Sequence, residues 1–148
     1  MEKEKGNRPI SGVEPCKIIE HQGFKIGCIG FSDEAWTDQF NPDINCDILQ
    51  YVDYNESLIK YSKILKDQGA ELIIALNHMR KPEDLDMAQR NSSDVVDLVL
   101  GGHDHSYFTF LNPETDVYIV KSGCDFECFS NLTLLFGVNK SDADAYIL

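Results

Sequence analysis

The spacing of apolar residues along the first half of the chain predicts a hairpin followed by a helix. Residues 16–20 and 24–31 are short apolar runs on either side of a turn that contains Gly23, which is the pattern of a β-hairpin. Between residues 54 and 68 the apolar positions recur at helical spacing. Gly69 then follows at the point where a helix C-terminus needs a residue that tolerates positive φ.

The second half of the chain predicts two buried strands with a helix between them, and then a β-rich region. Residues 71–76 and 95–100 are nearly continuous apolar runs, as in strands that are buried on both faces. A helix is predicted over residues 82–90, with Pro82 in its first turn. Short β-rich runs separated by turn residues come next, over residues 107–111, 117–121 and 132–138. The pattern predicts an α/β fold in which a β-α-β-α-β unit with parallel strands leads into an antiparallel β tail.

The length and charge of the chain bound its organisation and its partners. Its 148 residues suffice for one domain with one core. We expect a flexible N-terminal tail over residues 1–15, a folded region over residues 16–138 and a C-terminal tail over residues 139–148. Residues 32–53 form an acidic, irregular segment that is long for a loop, which indicates a functional or partly folded segment. The net charge of −12 would repel a nucleic-acid backbone, so no nucleic-acid partner is expected.

The lack of a targeting signal in the sequence and the number of cysteines bear on the expected cellular location. No apolar run is long enough for a transmembrane helix, and the charged start of the chain lacks the apolar region of a signal peptide. The five cysteines are scattered and odd in number, which favours free thiols in a reducing compartment. We therefore expect a cytoplasmic location and no membrane partner.

Three histidines follow the two predicted buried strands. His78 comes just after residues 71–76, and His103 and His105 come just after residues 95–100. Because the carboxyl ends of parallel strands meet at one edge of a sheet, the three imidazoles should converge there. Neutral imidazole is a common ligand for divalent transition metals. The sequence therefore predicts a metal site at this edge, although His78 taken alone would more often be a polar loop residue.

Three neighbours of these histidines are further candidates. Arg80 could clamp a phosphate, since its guanidinium matches phosphate geometry, but it could equally be a solvated loop arginine. Asn77 and Asp104 flank the histidines and could orient a ligand imidazole by a hydrogen bond. For Asp104 a purely structural role in the turn is equally consistent with the sequence.

Four stretches of the chain carry a resemblance to a known family. They are residues 23–30, 73–80, 96–105 and 120–126, and the string Gly-Gly-His-Asp-His at residues 101–105 is the most specific. In order and spacing they resemble the calcineurin-like metallophosphoesterases of the 5'-nucleotidase-like group, over the C-terminal half of the catalytic domain. The resemblance implies a β-sandwich flanked by helices, of which this chain would hold a part.

The resemblance also implies a chemistry. In that family a site with two divalent metals, drawn from Mn, Zn, Fe or Mg, hydrolyses a phosphorylated small molecule such as a nucleoside monophosphate. His78 and His103 would bind one metal and His105 the other. Such a chain would act as a metal-dependent phosphoester hydrolase in nucleotide catabolism.

The chain departs from the family in its first part. The family's Asp-x-His, Gly-Asp and Gly-Asn-His motifs do not occur, and the aspartates between residues 33 and 47 lack the accompanying glycines and histidines. We therefore expect an incomplete segment with little activity alone, whose partner could be the missing N-terminal half. The alternative is an inactive metal-binding or pseudoenzyme module that keeps the fold without catalysis. A third possibility is a small metal-binding domain unrelated to phosphate.

Overall fold

A computed structural model of the chain describes residue 9, residues 12–36 and residues 50–134. In this part of the chain six strands form one sheet, and two helices pack against it. The strands are β1 (Cys16–His21), β2 (Phe24–Ser32), β3 (Leu72–His78), β4 (Leu98–Gly101), β5 (Tyr107–Leu111) and β6 (Tyr118–Ser122). The helices are α1 (Tyr54–Asp67) and α2 (Lys81–Arg90). The predicted α/β class is confirmed.

The order of strands in the sheet is β1-β2-β3-β4-β6-β5. Strands β2, β3, β4 and β6 run parallel, and β1 and β5 pair antiparallel at the two edges. The predicted β-α-β-α-β unit is β2-α1-β3-α2-β4. Strands β5 and β6 are antiparallel to each other, as predicted. Strand β6, however, pairs parallel with β4, and β5 lies at the edge of the sheet beyond β6.

Both helices begin and end where the sequence provides the appropriate residue. The Asp53 side chain accepts hydrogen bonds from the backbone N–H groups of Asn55 and Glu56 and so caps the start of α1. Gly69 follows α1 with a φ of +90°, which a residue with a side chain adopts at a cost. Helix α2 has Pro82 in its first turn, where the missing N–H costs no intrahelical bond.

One face of the sheet carries the core. Leu65 of α1 and Ile73 of β3 both lie beside Gly27 of β2, and Asp84 of α2 lies against Lys121 of β6. Ile73 and Lys121 belong to the same face, because the register of the parallel strands places Asn77, Gly101 and Lys121 side by side. Both helices therefore cover this face, which we call the helix face. Its buried apolar residues include Ile29, Ala75, Val99 and Ile119.

The opposite face of the sheet, which we call the open face, exposes apolar side chains. Ile19, Leu76, Tyr107 and Leu111 are each 45–55% exposed, and all four point to this face by the alternation of side chains along their strands. His78 belongs to the open face too, at the end of β3. Neither described helix has the length and apolar character that a membrane-spanning segment needs.

Some expectations fall at the limits of the described residues. The strand predicted over residues 132–138 is not formed at residues 132–134, and residues 135–138 lie outside the described part. Most of the expected tails, and residues 37–49 of the acidic segment, also lie outside it. Of the five cysteines, the four that are described are free thiols, at positions 16, 28, 124 and 128.

Candidate functional site

The carboxyl ends of β3 and β4 bring two histidines together. His78 is the last residue of β3, and the chain leaves β4 at Gly101 and reaches His103 two residues later. Pairing between these parallel strands ends at Asn77 and Gly101, so the next residues of both strands are neighbours at the same edge. This is the edge at which the sequence predicted a site.

The two imidazoles are in direct contact. Nδ1 of His103 lies 3.2 Å from Nε2 of His78, and the ring centroids are 5.0 Å apart at an interplanar angle of 72°. One ring nitrogen donates and the other accepts when both rings are neutral, and the tautomers decide which. We call these two side chains the histidine pair.

The spacing of the histidine pair fits shared metal ligation. Two nitrogens bound to one tetrahedral metal at about 2.0–2.1 Å lie roughly 3.3–3.4 Å apart. The observed separation of 3.2 Å is close to that value. The two nitrogens are therefore close enough to bind one ion once both rings turn so that their lone pairs converge on it.

The backbone after β4 turns sharply. His103 and His105 have φ values of +71° and +55°, and the N–H of Asp104 donates to the carbonyl of Gly102 over 2.9 Å. His105 is exposed. Within residues 12–36 and 50–134, no three histidine, cysteine, aspartate or glutamate side chains gather as a possible metal site. The structure thus joins His78 to His103, and places His105 apart from them.

Trp36 packs beside the histidine pair. Its ring centroid lies 5.3 Å from that of His78 and 6.0 Å from that of His103. The indole comes from the acidic segment after β2, for which the sequence suggested a functional role without naming a residue. It covers one side of the pair.

Arg80 lies near the same edge and is held by Asp33. Nε of Arg80 is 3.6 Å from Oδ2 of Asp33, whose own N–H donates to the carbonyl of His78. The other carboxylate oxygen of Asp33 accepts from the N–H of Ala35. Asp33, just after β2, is therefore an ion-pair partner of the arginine. A signal for this contact was present in the sequence, since Asp33 follows a parallel strand at the same edge as His78.

Asn77 and Asp104 point to a buried charge network on the helix face. Nδ2 of Asn77 donates to Oδ1 of Asp84 over 2.7 Å, and Oδ2 of Asp104 lies 2.5 Å from Nζ of Lys121. Oδ2 of Asp84 lies 2.8 Å from the same Nζ. Sequence reasoning missed Lys121 and Asp84. The signal for Lys121 was a charged residue at the end of the apolar run over residues 117–121.

The carboxyls in this network titrate away from their ordinary range. Burial raises the pKa of Asp84, against the opposing effect of its hydrogen bonds with Lys121 and Asn77. Burial acts in the same direction on Asp104, but the hydrogen bond and the charge of Lys121 outweigh it and lower the pKa of that carboxyl. Asp104 is thus an ionised partner of the buried ammonium.

Two curated proteins are similar to most of the chain. A snake venom 5'-nucleotidase from Naja atra is 34% identical over 110 residues, which is 73% of this chain and 20% of the venom protein. An apyrase from Tabanus yao is 27% identical over 144 residues, which is 84% of this chain and 25% of the apyrase. No protein-family model matches the chain.

Solved structures agree with these relatives. A 5'-nucleotidase precursor from Thermus thermophilus matches 74% of this chain and 24% of its own, with a TM-score of 0.60 and 25% identity. The calcineurin-like phosphoesterase YfkN from Bacillus subtilis shares the fold, with a TM-score of 0.56 and 23% identity over 74% of this chain and 41% of its own. The chain belongs to the 5'-nucleotidase-like group of calcineurin-like phosphoesterases.

The chain is a partial domain of that family. It spans a quarter or less of the length of the curated relatives it matches. The matched region contains the sheet of this 5'-nucleotidase-like chain with its two helices, which is the partial fold that the sequence predicted.

Proposed function

We propose that this chain supplies the histidine-bearing part of a metal-dependent phosphoester hydrolase that acts on nucleoside monophosphates. The observation that carries the proposal is the 3.2 Å separation between the ring nitrogens of His78 and His103 at the carboxyl edge of the sheet. The names of the relatives support the substrate class, since they include 5'-nucleotidases.

The histidine pair would hold one divalent metal. A bound metal supplies Lewis-acid stabilisation of the phosphoryl oxygens and helps to place the attacking and leaving groups in line. Its charge would also reverse the local electrostatic field of a chain with a net charge of −12, and so favour binding of a phosphate anion. His105 is the proposed ligand for a second metal.

Two side chains next to the pair would position the phosphate and limit water. Arg80 is 55% exposed, so its guanidinium can reach a bound ligand, and Asp33 lies 3.6 Å from its Nε. Its two terminal nitrogens would then contact two phosphate oxygens. Trp36 would exclude water from one side of the imidazoles, which strengthens the electrostatic interactions there.

We also propose that the site is incomplete in this chain alone. A closed metal site takes about four ligands, and the histidine pair supplies two. The remaining ligands would come from outside the described residues, such as an N-terminal half of the domain. The chain by itself would then bind metal weakly and hydrolyse phosphoesters slowly.

Metal titration with a matched set of variants tests this proposal. Zn²⁺ and Mn²⁺ are titrated into the purified chain, into His78→Ala, His103→Ala and His105→Ala, and into His21→Ala as a control in the hairpin turn. We expect binding that falls about tenfold or more in the first two variants and stays unchanged in the control. Hydrolysis of a nucleoside monophosphate is measured in parallel.

Two results would contradict the proposal. Metal binding that survives in both His78→Ala and His103→Ala would remove the pair from the site. Absence of any binding by the unaltered chain would favour a pseudoenzyme that retains the fold without a metal.

A further inference from the structure

Lys121 is a charged residue in the interior of the sheet. It lies in β6 on the helix face and is 1% exposed. Taking an ammonium out of water is unfavourable unless oxygens surround it, and replacing a buried ion pair with apolar residues is often neutral or stabilising. A role in specifying the positions of its partners is one reason to retain such a group.

The oxygens around Lys121 belong to the two segments that carry the histidine pair. Its Nζ donates to the carbonyl of Met79 over 3.0 Å and to the carbonyl of Gly102 over 2.7 Å. Met79 directly follows His78, and Gly102 directly precedes His103. Oδ2 of Asp104, the residue after His103, is 2.5 Å away.

Backbone pairing alone does not hold these two segments together. Pairing between β3 and β4 ends at Asn77 and Gly101, one residue before His78 and two before His103. Beyond that point Lys121 bridges the two backbones through Met79 and Gly102. An ammonium has three N–H donors, and the two carbonyls and Oδ2 of Asp104 occupy all of them.

We propose that Lys121 is a positioning residue for the histidine pair. Its ammonium ties the ends of β3 and β4 together and so holds the ring nitrogens of His78 and His103 at the spacing that a shared ligand requires. The effect of Lys121 on metal binding rests on the proposed function. Its effect on the contact between the two imidazoles does not.

The surroundings of Lys121 fix the position of its ammonium. Lysine side chains are flexible, so a positioning role requires that Nζ be held in place. The carbonyls of Met79 and Gly102 and Oδ2 of Asp104 do this by accepting its three hydrogen bonds. Asp84 of α2 adds a negative charge, with Oδ2 at 2.8 Å from Nζ. Gly101 leaves the space that this side chain occupies, because a Cβ there would lie 3.0 Å from Cγ and Cε of Lys121.

A test must separate positioning from simple stabilisation. Lys121→Met alone would leave Asp84 buried without its counter-charge, and such a change can unfold a protein. The double variant Lys121→Met/Asp84→Asn removes both charges and keeps the side-chain volumes similar. Asp84→Asn alone keeps the ammonium with its two carbonyls and Asp104, so it is the matched control.

Three measurements are made on the unaltered chain and on each variant. Thermal melting reports stability, long-range proton–nitrogen NMR spectra of the imidazoles report the tautomers and contact of His78 and His103 without metal, and Zn²⁺ titration reports affinity. We expect the double variant to melt close to Asp84→Asn, to lose the imidazole contact, and to bind Zn²⁺ about tenfold or more weakly than that control.

The outcomes distinguish the two proposals. Unchanged imidazole spectra in a folded double variant would overturn the positioning role. If the unaltered chain binds no Zn²⁺, the proposed metal function fails, and the imidazole spectra still decide the role of Lys121. If the double variant does not fold, Lys121→Gln/Asp84→Asn replaces it, because the glutamine amide at position 121 keeps two N–H donors without a charge. We expect the same direction of change with a smaller size, and an unchanged spectrum would overturn the inference.

Discussion

Gly101 is the residue at which the packing around the buried charges is tightest. A Cβ at this position would lie 2.5 Å from Oδ2 of Asp84 and 3.0 Å from two carbons of Lys121. Neither partner can retreat easily, since both are fully buried and paired. The absence of a side chain at Gly101 is therefore a condition for the ion pair to form inside the sheet.

The variant Gly101→Ala should be destabilised. Overpacking of a filled core costs about 1–3 kcal/mol, and here it also displaces a charge from its partner. The free energy of unfolding from denaturant titration measures the effect. Gly30→Ala is the matched control, because nothing lies within 4 Å of a Cβ at that strand position, and its change should stay within about 0.5 kcal/mol. Equal losses in the two variants would show that the space at Gly101 is not restrictive.

The histidine pair could be anticipated from sequence, and its surroundings could not. His78 and His103 follow apolar runs whose parallel pairing puts them at one edge, and this needs only strand order. Trp36 approaches from the segment after β2, whose path has no sequence periodicity. Lys121 was hidden for a different reason, since a pattern of apolar residues shows which strand is buried and not which oxygens surround a charge within it.

At the scale of the elements, a hydrogen bond links the start of α1 to α2. The hydroxyl of Tyr54 donates to Oδ2 of Asp86 over 2.6 Å. Burial raises the pKa of Tyr54, and the hydrogen bond and charge of Asp86 raise it further. The neutral hydroxyl is therefore retained in the folded state to a higher pH than in the unfolded chain.

This tyrosine should make stability depend on alkaline pH. Because the folded pKa lies above the unfolded value of 10.0, the contribution is fully present below that pH. It is lost as the pH rises from there through the folded pKa. We expect the unaltered chain to lose more stability than Tyr54→Phe between about pH 9 and 11, measured as the shift in denaturation midpoint. Tyr107→Phe controls for loss of a hydroxyl on the sheet, and a Tyr54→Phe profile parallel to that of the unaltered chain would contradict the link.

The start of β4 shows that an apolar run in the sequence and the hydrogen-bonded strand need not have the same bounds. The run at residues 95–100 predicted one strand, but β4 begins only at Leu98. The N–H groups of Val95 and Val96 donate to the carbonyl of Ser92 and so belong to a turn. Val96 is nevertheless fully buried in the core. Burial of a side chain therefore extended the apolar run beyond the hydrogen-bonded strand, and the sequence alone cannot separate the two.

At the scale of the molecule, the two faces of the sheet differ in their cover. The helix face is filled by α1 and α2, whereas Ile19, Leu76, Tyr107 and Leu111 remain about half exposed on the open face. Exposed apolar side chains on one face favour association. The net charge of −12 opposes it through repulsion between chains.

The isolated chain should therefore self-associate in a salt-dependent way. Raising the salt concentration screens the repulsion and leaves the apolar attraction, so the average mass should rise with salt. Analytical ultracentrifugation at low and moderate salt measures this. Leu76→Ser/Leu111→Ser should reduce the average mass, and Ile59→Ser, at an exposed apolar position on α1, is the control. A monodisperse monomer at both salt concentrations would contradict the prediction.

The strand order has a consequence for how the chain is made. Strand β4 lies between β3 and β6 in the sheet. Strand β6 is the last strand of the described part to be synthesised, whereas β5 is made earlier and lies at the edge of the sheet beyond β6. Lys121 reaches back 42 residues in sequence to the carbonyl of Met79. A nascent or truncated chain that stops before β6 thus carries both histidines but lacks the ammonium that bridges their segments. Such a product would contain His78 and His103 in its sequence but would lack the Lys121 hydrogen bonds that hold their segments together.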